Sequence, residues 1–181
     1  MLGDPILRAR CQRVSNPRSP AVRVVADDLR DTLRDWGERG GSGRGIAAPQ
    51  LGAPVRLILV LEDRKRRTLL NPEIADVGEE DFLVWDDCSS FPDLMVRVQR
   101  AYHVTVRYED FTGKSHMLEA EGPLAALLQH EIDHLDGVLS VDRASGLDPF
   151  CLREEWNRHW GAEGRYGQPV ARELPRATQE V

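Results

Sequence analysis

The stretch Gly122-Pro123-Leu124-Ala125-Ala126-Leu127-Leu128-Gln129-His130-Glu131-Ile132-Asp133-His134-Leu135-Asp136-Gly137 decides how this chain is read. Pro123 stands near a first helical position, where a missing N–H costs least. Leu124, Leu127, Leu128, Ile132 and Leu135 recur with helical spacing. Gly137 ends the run, as a residue free to turn left-handed commonly does. On such a helix His130 and His134 share one face, a turn apart, and can bind one metal ion through two imidazoles. Glu131 starts the same turn, where it can act on a water as general base. That is the pattern of metal-activated hydrolysis.

Two histidines need a third protein ligand, and its identity sets the enzyme class. A third histidine six residues after the second is excluded, because that position is Ser140. A downstream glutamate is open: Glu154 and Glu155 lie in Pro149 to Trp160, which reads as a helix. A cysteine is also open. Cys88 sits in Trp85-Asp86-Asp87-Cys88-Ser89-Ser90-Phe91-Pro92, directly after a strand-like run from Phe82 to Trp85. A thiolate with two imidazoles suits zinc or ferrous iron and leaves a position open.

A glycine-rich segment, Gly41 to Gly52, precedes an expected strand from Val55 to Leu61. Glycines at 43 and 45 let the backbone approach another group closely. Ala47 and Ala48 leave room, and Gln50 offers an amide donor. No Lys-Ser or Lys-Thr follows the last glycine, which excludes a phosphate-binding loop.

Taken together these residues resemble the peptide deformylase family. Its three motifs, in chain order, are Gly-x-Gly-x-Ala-Ala-x-Gln, Glu-Gly-Cys-x-Ser and Gln-His-Glu-x-Asp-His. The first is complete in Gly43 to Gln50 and the third in Gln129 to His134. The second is Asp86 to Ser90, which keeps the cysteine and the last serine and departs elsewhere. Gly3 to Arg8, Asn71-Pro72 and a strand pair within Val98 to Ala120 extend the likeness over most of residues 2 to 143.

The resemblance implies that Cys88, His130 and His134 hold one divalent metal, ferrous iron in the cell, with Zn2+, Ni2+ or Co2+ able to substitute. It implies Glu131 as general base and acid. Gln50 and the Ser89 backbone N–H would hold the oxyanion, and Gly45 would contact substrate. The reaction implied is hydrolysis of the N-terminal formyl group of formyl-methionyl nascent polypeptides, at the ribosome exit, releasing formate. Asp86 and Arg100 would form an ion pair fixing the Cys88 loop. Asp87, where the family has glycine, is expected to strain the backbone and to burden anionic substrates. Ser89, where the family commonly has an apolar residue, is expected to weaken apolar contact.

The rest of the 181 residues sets bounds. A content of 41% hydrophobic and 30% charged residues fits a soluble globular domain. A net charge of −6 gives no sign of a nucleic-acid-binding surface. No apolar run approaches membrane-spanning length. Three cysteines define no disulfide framework, and no leader-like segment is read, so a reducing cytoplasm is expected. Relatives commonly carry several residues ahead of position 1, so a later start or a trimmed chain is a further expectation.

Pro20 to Arg39 reads as an amphipathic helix after Ser19, with Val22, Val25, Leu29, Leu33 and Trp36 on one face. Thr68 to Leu70 and Tyr102 to Tyr108 read as strands, and Asp110 to Lys114 as a turn before a short strand to Ala120. His103, His116 and His159 read as surface or structural. The expected fold is α+β, a single domain of antiparallel strands surrounding a central HExxH helix. Residues 1–160 form its catalytic part and 161–181 a polar tail, surface-laid or mobile. Two alternatives stay open: a zinc peptidase using Glu154 or Glu155, and a catalytically silent metal-binding homologue.

Overall fold

The computed structural model describes residues 1–38, 44–62 and 65–172. Helix α1 spans Pro20–Glu38 and buries Ala26, Leu29 and Leu33. Ser19 precedes it, its carbonyl accepting from the Val22 and Arg23 N–H groups. Arg39, the expected last residue of this helix, and Gly43 of the first motif lie outside the described residues.

Two antiparallel sheets follow. The first contains β1 (Gly45–Ala47), β2 (Leu57–Glu62), β3 (Lys65–Val77), β6 (His103–Glu109) and β7 (Ser115–Glu121), in the order β1-β2-β3-β6-β7. The second contains β4 (Glu80–Asp87), β5 (Leu94–Ala101), β8 (Phe150–Leu152) and β9 (Val170–Ala171), in the order β8-β5-β4-β9.

Strand β2 explains how the layers stack. Its alternate residues point to opposite faces. Ile58 and Val60 join the core shared with Leu128, Ile132 and Leu135, while Leu57 and Leu59 pack with Leu29 and Leu33 of α1. Helix α2 spans Gly122–Leu135 and is buried on several sides. Its Ala126 reaches the core of the second sheet, with Phe82, Val84, Val96 and Val98. The helix that carries the two histidines is thus apolar toward both sheets. Gly137 has φ of 74°, and a Cβ there would lie 2.5 Å from the Arg8 carbonyl oxygen. No other residue fits that close approach.

Two expectations need correction, and one strand was not foreseen. Within the glycine-rich segment, Gly45 to Ala47 pairs with Val60 to Ile58 as an edge strand. Its three residues carry no alternation, so only the partner strand defines it. The stretch Pro149 to Trp160 is not one helix. Leu152, Cys151 and Phe150 pair with Leu94, Met95 and Val96, and α3 covers only Arg153–His159. Strand β3 runs well beyond Thr68 to Leu70, with irregularities between Leu70 and Glu73 and between Ile74 and Asp76 that break its pattern.

The segment from Gly161 to Arg172 lies along the free edge of β4. The Trp85 N–H donates to the Arg165 carbonyl at 2.8 Å, and the Gly167 N–H to the Leu83 carbonyl at 2.8 Å. Arg172 closes this segment with an ion pair to Asp81. The hydrogen bonds from Arg172 outweigh burial and, with one from Gln99, hold the Asp81 carboxyl below its usual range. A depressed carboxyl contributes stability above its unfolded value and loses it as pH falls through the lower folded value. Arg172→Ala is therefore expected to cost up to about 1 kcal/mol at neutral pH and much less in strong acid. Urea melts at both pH values check this, and an equal cost at both would reject the pair.

Candidate active site

The end of β4 and one face of α2 converge on a single buried cluster. Cys88 follows directly after β4, and its carbonyl accepts from the Phe91 N–H in a tight turn. Its Sγ lies 3.2 Å from His134 Nε2. The ligand atoms of Cys88, His130 and His134 all lie within 4.8 Å of one another, and all three residues are buried. They are the sole such group among the described residues. One soft thiolate and two imidazoles form a donor set suited to zinc or ferrous iron, so the residues present fit a divalent metal.

The surroundings fix these donors. Asp86 Oδ2 lies 2.9 Å from His130 Nδ1. A carboxylate accepts only, so His130 carries its proton on Nδ1 and keeps Nε2 free as a ligand. The same oxygen accepts from Arg100 Nη2 at 2.8 Å, which is the ion pair expected from the sequence. Arg100 also donates to Asp133, which in turn receives Arg143. The Arg100 side chain is 1% exposed. Stripping one partner from a buried charge set costs about 3–5 kcal/mol, against about 0–1 kcal/mol at the surface. Asp86 is therefore a rigid positioner of the histidine and of the cysteine loop. Burial opposes its charge, but His130 and Arg100 more than offset that and hold its carboxyl well below the usual range.

Glu131 is 3% exposed, and its Oε2 has no hydrogen-bond partner within the protein. Burial pushes its carboxyl up to about 7 against the opposing pull of His130. Gly45 explains how the carboxylate fits. A Cβ at position 45 would lie 2.5 Å from Glu131 Oε1 and 2.7 Å from Leu127 Cδ1. The glycine thus gives up its side-chain volume to the carboxylate. Gly45→Ala is expected to push that carboxylate aside and, at about 1 Å of misplacement, to cost on the order of 10²-fold in turnover. Metal content should stay at wild-type level. A Gly45→Ala enzyme with unchanged kcat would show that the carboxylate has slack.

Gln50 closes the site from the short 3-10 turn, Ala48–Leu51, that follows β1. Its Oε1 accepts from the Ala47 N–H at 2.8 Å, which fixes the amide so that Nε2 faces the cluster. Nε2 lies 3.1 Å from Ser89 Oγ, 3.2 Å from Ser90 Oγ and 3.5 Å from Cys88 Sγ. Gln50, Ser89, Gly45, Cys88, His130 and Glu131 all line one cleft. Glu154 and Glu155 are elsewhere, on α3, each paired with Arg158. The other histidines also stay apart: His103 meets Glu121, His116 meets Asp110, and His159 meets Glu155.

This geometry agrees with the comparisons. The family described as Polypeptide deformylase matches residues 1–150. The chain belongs to the polypeptide deformylase family. A peptide deformylase of Rhizobium meliloti is 39% identical over 155 residues, covering 81% of this chain and 84% of its own. One from Dictyoglomus thermophilum is 36% identical over 143 residues, covering 79% and 89%. The crystal structure of the Thermotoga maritima peptide deformylase superposes with a TM-score of 0.75 at 32% identity, over 81% of this chain and 95% of that one. The Synechococcus elongatus deformylase in complex with actinonin gives 0.72 at 34% identity, over 87% and 80%. This deformylase is a metal-dependent hydrolase acting on N-terminal formyl groups, with the mixed α/β architecture and antiparallel sheets of its relatives.

The second motif corrects one sequence expectation. Asp87 pairs in register with Met95 at the end of β4 and has no left-handed backbone; among described residues only Asn71 and Asp148 do so without being glycine. Asp87 lines the cleft, but its charge is paired. Arg165 and Arg153 both reach its carboxylate, the latter at 3.0 Å. Sequence reasoning missed Arg165 because it lies 78 positions away, in what read as a tail. It also missed Trp36, Arg44 and Tyr166 as cleft residues. A signal existed for Arg44, which stands between the two glycines of the first motif.

Proposed function

We propose that this chain hydrolyses the formyl group of formyl-methionyl nascent polypeptides with Cys88, His130 and His134 holding one divalent ion, ferrous iron in the cell. A divalent ion bound by these three residues would supply Lewis-acid activation of water and of the formyl carbonyl. Glu131 takes a proton from the attacking water and returns it to the amine nitrogen as the C–N bond breaks. Formate and a free α-amine are the products. The Gln50 Nε2 and the Ser89 backbone N–H donate to the oxyanion that develops on the formyl oxygen. The Gly45 backbone lies beside substrate, and Asp86 keeps His130 in the ligating tautomer. The Cys88 thiolate lowers the net charge of the site.

What carries this reading is the packing of Glu131 against Gly45, in the same cleft as Cys88, His130 and Gln50. A site that only held metal would need neither a carboxylate lodged in that way nor an oriented amide. The enzyme would meet its substrate as nascent chains leave the ribosome. Loading with ferrous iron and measuring formate release from a formyl-methionyl peptide, against cleavage inside the peptide, tests the proposal. Internal cleavage without formate would instead support a peptidase.

A further inference from the structure

The cleft beside Glu131 is narrow and polar on one side. The open space there is about 40 Å3, room for only a few waters at roughly 10–15 Å3 each. Arg44 and Tyr166 wall that side, and Arg44 Nη2 donates to the Tyr166 hydroxyl at 2.6 Å. The guanidinium also lies 5.8 Å from the centre of the Tyr166 ring. Tyr166 is fixed in turn by stacking on Phe82 and by bridging to Val84. Among the described residues Arg44 makes no ion pair; its side chain donates to the Tyr166 phenol, and its charge also reaches the Glu131 carboxyl, which lines the same cleft. The acid beside it, Asp87, is already taken by Arg165 and Arg153. Arg44 and Arg165 thus line the cleft with Asp86, Asp87 and Glu131, and of the two arginines Arg44 is the one without an ion pair.

We propose that Arg44, held by the Tyr166 hydroxyl, is a specificity-determining residue that receives a carboxylate carried within two residues of the substrate's formamide. This rests on the deformylase reading and reverses the expectation that Asp87 disfavours anions. The planar guanidinium fork suits a carboxylate, and the phenol pre-sets its direction, so little side-chain freedom is lost on binding. A neighbouring pocket that shares Trp36, Gly45, Gln50 and Ser89 with the cleft adds Leu33, Ile46 and Leu51 to its lining, and offers room for an apolar side chain. Methionine and an acidic neighbour can thus be read together.

The test uses the full chain loaded with metal and four peptides: formyl-Met-Ala-Ser, formyl-Glu-Ala-Ser, formyl-Met-Glu-Ser and formyl-Met-Lys-Ser. At least one glutamate peptide should exceed formyl-Met-Ala-Ser in kcat/KM by about tenfold, the scale of one charge-assisted hydrogen bond. The lysine peptide should fall below it. Arg44→Leu should erase the spread, Arg44→Lys should keep its direction, and Tyr166→Phe should narrow it. Binding gives an independent readout, because Trp36 and Trp85 line the cleft. Tryptophan fluorescence should report tighter binding of Glu-Ala-Ser or Met-Glu-Ser than of Met-Ala-Ser in the wild type, and no difference in Arg44→Leu. A wild type indifferent to the carboxylate, or a preference that survives Arg44→Leu, overturns the proposal. No formate from any of the four peptides overturns the deformylase reading itself, and this proposal with it.

Discussion

Glu131→Gln is expected to keep its metal and to release formate about 10²- to 10⁴-fold more slowly than the wild type, the range of a positioned acid–base group. The substitution preserves size, so the fit against Gly45 survives while the proton acceptor is lost. Glu131 makes no ion pair among the described residues, and Oε2 has no partner in the protein. Its cost of burial is therefore not offset by any structural bond that glutamine would break. A purely structural role predicts a different result: loss of stability with little change in kcat. Metal content, a denaturant melt and formate release, measured on one preparation, separate the two. A Glu131→Gln enzyme with near-normal turnover would end the assignment of Glu131 as base.

The parts of this site that were legible in the sequence are those set by short-range spacing. His130 and His134 share a face because the helical period puts them there, and Pro123 and Gly137 bound the same helix. The pairing of Asp86 with Arg100 was also legible, though only through resemblance; in the fold it follows from β4 and β5 being neighbours. Strand β1 was not legible. Gly45, Ile46 and Ala47 form a strand only because β2 presents its edge to them. The same holds for β8, whose exposed Phe150 and Leu152 flank Cys151 on an edge strand paired with β5.

The least legible part was the segment after Gly161. Its composition is polar, and polarity ordinarily marks an unpacked end. Here the arginines have specific destinations: Arg165 on Asp87 and Arg172 on Asp81. Neither aspartate announces its partner, since no local period connects residues so far apart. Asp87 consequently read as an anomaly in the second motif. In the fold it is the anchor for the segment that brings Tyr166 to the cleft. A departure from a family motif and an unassigned tail were one feature seen in two places.

Cys88→Ala is expected to lose most of its bound metal on dialysis, while Glu154→Ala and Glu155→Ala stay near wild type. Removing the thiolate leaves two imidazoles, too few ligands for the closed protein side of a catalytic metal site. It also removes the one anionic donor, which compensates the ion's charge within a buried setting where bare charge is expensive. The two glutamates have no such role to lose. Both lie on α3, with Glu154 80% exposed at its side chain, and both are held by Arg158 at the surface. Elemental analysis after dialysis gives the answer directly. Cys88→Ala that keeps stoichiometric metal while a glutamate variant loses it would move the third ligand to α3 and revive the peptidase. Cys88→Asp sharpens the comparison, because a carboxylate restores the charge with a harder donor. It should recover part of the metal content, with its selectivity moved from the sulfur-preferring ions toward oxygen-preferring ones. If Cys88→Asp binds no better than Cys88→Ala, the thiolate acts through its bond to the metal rather than through its charge.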